Sequence, residues 1–136
     1  MASMSAPALL SIGTGAALGA WLRYALGLWL NPLLASLPLG TLAANLLGAY
    51  AIGLALGVFA QVPALPTELR LFVITGFLGA LTTFSTFSVE VVGMLQHARY
   101  LLAIGTAGLH LLGSLMLTVL GMKMAVIITD GSQPIG

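Results

Sequence analysis

Cysteine is missing from all 136 residues, which excludes disulfides, thiolate metal sites and cysteine nucleophiles. Charge is nearly missing too: four Lys or Arg and three Asp or Glu make up 5% of the chain. Soluble domains carry about a quarter charged residues, and so few charges cannot cover a soluble fold of this length. There is no basic run to neutralise phosphates, so nucleic-acid binding has no support. No glycine-rich phosphate loop followed by Lys and Ser or Thr occurs, so nothing points to nucleotide-driven transport. No nucleophile, base and orienting group can be assembled either, and an enzyme is not expected. What is abundant is apolar surface, at 60% hydrophobic residues and a mean hydropathy of +1.13. This is the composition of an integral membrane protein.

A helix needs about 20 apolar residues to cross the hydrocarbon core. The pattern predicts an all-α single transmembrane domain over 1–136, with four such helices at roughly 8–30, 39–60, 68–96 and 100–128. Asn31-Pro32, Gln61-Val-Pro63 and Pro66-Thr67 mark the breaks between them, since proline restricts the residue before it. Residues 129–136 read as a polar, frayed tail. Met1 to Pro7 holds no Lys or Arg, unlike the positive start of a cleaved leader, so the first helix is expected to be retained.

Four spans place both termini on one side. Arg70 and Lys123 then face Arg23 and Arg99 across the membrane. Two cations against two give the positive-inside rule no asymmetry to act on. Such a chain either has an orientation that charge does not reveal, or inserts both ways round and pairs as an antiparallel dimer. Small residues recur at four-residue spacing, as Gly15 and Gly19, then Gly40, Ala44 and Gly48, then Gly53 and Gly57. In lipid this spacing lets helix backbones approach closely.

The third segment departs from a plain span. Gly76-Phe-Leu-Gly-Ala-Leu-Thr-Thr-Phe-Ser-Thr-Phe-Ser-Val-Glu90 carries hydroxyls where lipid favours Leu, Ile and Val, and polar groups at membrane depth are costly unless they serve a path or a site. Gly76 and Gly79 weaken the helix while Thr82 and Thr83 compete for its backbone groups. A break between Gly76 and Thr83 is expected, and carbonyls freed there suit a hard cation such as sodium. Phe84 and Phe87 share a helix face, and Ser85 and Ser88 repeat the spacing beside them. Phenyl rings have positive edges, and edges turned to a cavity attract a small anion without a fixed charge. Hydroxyls add donors, and binding of this moderate kind allows the ion to leave.

Other polar groups have two readings each. Asn45 either hydrogen-bonds between helices or adds a donor to the path. Arg23 either snorkels to the interface or draws anions to a mouth. Glu90 lies near the interface or pairs with a hydroxyl. His110, Ser114 and Thr118 form a stripe at intervals of four, explained equally by bundle packing and by pore lining.

These residues resemble the Fluc (CrcB) fluoride channel family in four ordered pieces. They are Gly15-Ala-Ala-Leu-Gly-Ala-Trp-Leu-Arg-Tyr24, Gly40-Thr-Leu-Ala-Ala-Asn-Leu-Leu-Gly48, the Gly76-to-Glu90 run, and Gly113-Ser114 with Thr118 and Gly121. The resemblance implies passive, selective fluoride export by an antiparallel, dual-topology homodimer in the inner (plasma) membrane of a prokaryote. It implies that Phe84 and Phe87 line the pore with Asn45, beside Ser85, Thr86, Ser88, Glu90, Ser114 and Thr118, with Arg23 at the entrance. It also implies a structural sodium ion at the dimer centre, held by backbone oxygens of Gly79 and Thr82 from both copies, and no organic cofactor. Ala80 stands where the family commonly has a second glycine; a positive φ there would strain the break.

Two alternatives come from other classes. A small dual-topology multidrug or guanidinium transporter depends on a carboxylate inside its first helix, and here the only acids are Glu68, Glu90 and Asp130. A non-conducting membrane scaffold would explain the glycines but not the cluster from Thr82 to Ser88.

Overall fold

The computed structural model describes residues 5–130, and every regular element among them is helical. Helix α1 is Ala6–Leu30, started by the Ser5 hydroxyl, which accepts from Ala8 N at 3.3 Å, with Pro7 in its first turn. It begins earlier than its apolar pattern because the cap and proline precede the first leucine. Asn31-Pro32 ends it in a short 3₁₀ turn, Asn31–Leu33. The Asn31 side chain then does a second job, accepting from Gly40 N at 2.8 Å to hold the start of α2, Leu39–Gln61. Arg70 closes the far end of α2, donating to Phe59 O at 3.0 Å and Val62 O at 3.3 Å.

Helix α3 covers residues 67–81, and its middle, Leu71–Leu78, is wound as a π-helix. After two extended residues the chain resumes as α4, Phe84–Gln96, and then α5, Tyr100–Asp130. Helix α5 therefore runs through Thr129 and Asp130, which the sequence reading put in a polar tail. The Thr129 hydroxyl turns back onto Ala125 O at 2.8 Å and Val126 O at 3.1 Å, so its polarity is absorbed by the helix itself. The rest of that tail lies outside the described residues.

Among the described residues, three stretches are long and apolar enough to cross a membrane: Leu39–Gln61, Thr67–Gln96 and Tyr100–Asp130. Helix α1 has the length, at 25 residues, but Thr14, Arg23 and its glycines dilute its apolar character. The chain is an all-helical membrane protein.

The small residues sit where backbones touch. A Cβ on Gly15 would strike Phe72 O and lie 2.9 Å from Phe77 N, and one on Gly76 would lie 2.6 Å from Ile12 O. This reciprocal contact lets α1 press on the π-wound stretch of α3. Gly53 and Gly121 make the equivalent contact between α2 and α5, against Thr118 O and Tyr50 O. Ala44, Leu78 and Leu81 form the small core between α2 and α3. The core thus fixes α3 up to the residue where the helix stops.

Candidate functional site

The break falls at Thr82 and Thr83, with ψ of 153° and 122°. Gly76 to Leu81 remain helical, so the glycines prepare the break without being it. Ala80 has helical backbone, and the only positive-φ residue other than glycine among those described is Ala98. The strain expected of an alanine at position 80 is absent for that reason.

Several backbone groups at the break have named partners. Thr82 N and its hydroxyl both return to Leu78 O, at 3.1 and 2.9 Å. Arg23 Nε donates to Ala80 O at 3.0 Å. Thr83 N donates to Asn45 Oδ1 at 2.7 Å while Asn45 Nδ2 donates to Thr83 O at 3.0 Å. The Thr83 hydroxyl accepts from Thr86 N at 3.1 Å and so caps α4. Non-helical backbone at membrane depth survives only when satisfied in this way.

Helix α4 then sets the rings. Phe84 and Phe87 lie with centroids 5.7 Å apart at 60°, and Phe87 lies 4.6 Å from the His110 imidazole at 31°. Phe84 is 81% exposed in the single chain. Both rings line a 420 Å³ groove that also takes in Asn45, Gly79, Thr82, Thr83, His110, Ser114 and Thr118. Helices α2, α3, α4 and α5 all contribute to it. The Thr118 hydroxyl is committed to Ala49 O at 3.1 Å, whereas Ser114 makes no hydrogen bond among the described residues and is free to turn.

Other residues singled out by sequence lie off this groove. Arg23 lies under α3 on the Ala80 carbonyl. Ser88 donates to Phe84 O at 2.8 Å, and Ser85 and Thr86 are joined to Thr83, at 3.4 and 3.1 Å. Glu90 accepts from the Thr41 hydroxyl at 2.5 Å and lines a separate pocket with His97 and Arg99.

His110 belongs to the groove although its stripe had been compatible with packing alone. It is 5% exposed and bonded to Asn45 through Nδ1 at 3.1 Å. The four-residue interval to Ser114 was the available signal, but it does not say which face of α5 meets the rings.

The carbonyls at the end of α3 fit a hard cation, which takes oxygen ligands. In an unbroken helix Gly79 O would accept from Thr83 N, but Asn45 has taken that donor. Gly79 is exposed, and a Cβ there would meet only Ile74 O, at 3.5 Å. The packing of the described residues therefore does not require glycine at 79.

Residues 10–122 match the family model described as CrcB-like protein, Camphor Resistance (CrcB). The chain belongs to the CrcB family. The matched CrcB span contains every site residue named above, from Arg23 to Thr118. A relative from Albidiferax ferrireducens, named fluoride-specific ion channel FluC, is 62% identical over 86% of this chain and 89% of its own length. Another of that name from Chromohalobacter salexigens is 60% identical over 84% of this chain and 86% of its own. A third from Pseudomonas aeruginosa is 57% identical over 84% and 90%.

Proposed function

We propose that this chain is a passive, fluoride-selective channel through which the ion leaves the cytoplasm down its gradient. The groove carries the reading, because it sets two phenyl rings and a free hydroxyl beside a helix break that Asn45 bridges. Fluoride is small and strongly hydrated, and ring edges with hydroxyl donors replace part of its water without trapping it. The names of the CrcB relatives support the same ion.

In this reading the working unit is an antiparallel homodimer. The groove is open in the lone chain and the Phe84 ring is almost bare, as expected of a wall that a second copy completes. Helix α1 is the fourth span: its 25 residues rise about 37 Å at 1.5 Å each, enough for the hydrocarbon core. The even balance of Arg23 and Arg99 against Arg70 and Lys123 permits insertion in either sense. The organisms of the relatives are bacterial, so the membrane is the inner membrane of such a cell.

The carbonyls of Gly79 and Thr82 from both copies would hold a central sodium ion. When bound, sodium supplies a fixed positive charge that ties the two breaks together. Asn45 keeps Gly79 O available by holding Thr83 N, and Arg23 fixes the neighbouring carbonyl. Ser85, Thr86, Ser88 and Glu90 would form a hydroxyl-and-carboxylate track along α4 outside the groove, while Ser114 and Thr118 line the groove from α5.

The test is efflux from liposomes holding the purified protein. Fluoride is expected to leave while chloride stays. Equal chloride efflux would remove the selectivity, and no efflux from an intact assembly would return the chain to the scaffold reading.

A further inference from the structure

The hydrogen bonds of Asn45 determine the state of His110. Thr83 N can only donate, so the atom it meets must be the amide oxygen of Asn45, and Thr83 O can only accept, so its partner must be the amide nitrogen. Nδ2 has one hydrogen left, and its other neighbour is His110 Nδ1 at 3.1 Å. Nδ1 must therefore accept. A neutral imidazole that accepts at Nδ1 carries its proton at Nε2, and a second proton would set two donors against each other. His110 is thus neutral with Nε2–H, and that N–H is buried with no partner among the described residues.

A buried donor without an acceptor is costly. The rings around it show what acceptor it suits. The imidazole lies 4.6 Å from Phe87 at a shallow 31°, so the positive edge of the phenyl ring and the imidazole edge run side by side. Asn45, which lines the same groove, has spent both its N–H groups on Thr83 and His110. Water does not reach Nε2 in the lone chain, so an ion that reaches it has already shed water there.

We propose that His110, held by Asn45 as the neutral Nε2–H tautomer, is the hydrogen-bond donor that a small dehydrated anion meets beside the Phe87 ring. Asn45 is then a positioning residue, acting on the anion through His110. This rests on the anion-channel reading and names a recognition group within it.

Two substitutions separate donating from holding. His110→Asn keeps an oxygen where Nδ1 accepts from Asn45 but has nothing at the Nε2 position. His110→Gln reaches the Nε2 position with an amide N–H but loses the link to Asn45. Fluoride flux in liposomes should fall about tenfold or more for H110N, the size expected when one donor to an anion is lost, with its unfolding midpoint near that of the parent. H110Q should show the reverse, a lower midpoint with more flux than H110N. In ¹⁵N spectra of the intact protein, Nδ1 should resonate as unprotonated and Nε2 as protonated, and fluoride but not chloride should shift Nε2. A parent that conducts fluoride with H110N conducting equally, or with the proton on Nδ1, overturns this proposal alone. A parent that conducts no fluoride overturns the channel reading and this proposal with it.

Discussion

The side-chain amide of Asn45 pairs with the backbone of Thr83 as one strand residue pairs with another, oxygen to N–H at 2.7 Å and nitrogen to carbonyl at 3.0 Å. One residue of α2 thereby supplies the acceptor that Thr83 N loses when the helix breaks, adds a donor to Thr83 O, and reaches α5 at His110 with its remaining N–H. Helices α2, α3, α4 and α5 meet through this one amide.

Removing that amide should loosen the break before anything else. Asn45→Ala deletes three hydrogen bonds at about 1 kcal/mol each, so a loss of about 3 kcal/mol is expected. Asn45→Asp keeps the acceptor for Thr83 N and should lose less. Unfolding in detergent measures both. A variant as stable as the parent would show that another group holds the break.

The two phenylalanines should respond differently to Ile. Phe84, 81% exposed in the single chain, should lose fluoride flux with little change in the stability of the monomeric fold. Phe87, half-buried and stacked on His110, should lose flux and about 1 kcal/mol of fold stability as well. Flux equal to the parent in both variants would leave the rings with packing alone.

Ala98 has φ of 57°, a conformation that costs a non-glycine residue about 1 kcal/mol or more. It is held there by Ala98 N to Leu95 O at 3.0 Å and Arg99 N to Met94 O at 2.9 Å, the paired bonds that close a helix in a left-handed turn. Ala98→Gly should therefore stabilise the protein, by about 0.5–1 kcal/mol. A lower unfolding midpoint would contradict the assigned backbone.

Because the chain has no cysteine, one cysteine added at each end gives a clean topology probe. Dual insertion predicts that both tags react with a membrane-impermeant thiol reagent from either side of the membrane. Reaction from one side only would exclude the antiparallel dimer.

Much of this was readable from residue types. The apolar runs and their proline boundaries marked the long helices, and Thr82 and Thr83 lie inside the stretch where glycine and hydroxyls foretold a break. Sequence placed the trouble in the right region but not at the right bond, since Gly76 and Gly79 stay helical. Whether a glycine ends a helix depends on what its neighbours can bond to, and the partner of Thr83 is 38 residues away. Arg23 and Asn45 each had two readings for the same reason: one donor serves backbone or solvent depending on which helix packs against it. Ala98 gave no sign at all, because the residue that normally announces a left-handed turn is glycine.

The interruption at Thr82 and Thr83 has an electrostatic consequence. Helix α3 ends there and α4 begins there, so two macrodipoles meet end to start, with about half a negative charge at Leu81 and about half a positive charge at Phe84. An unbroken helix would bury both poles inside its own hydrogen bonds. Two residues of extended chain uncover them side by side, so that one short gap presents a pole suited to a cation and a pole suited to an anion.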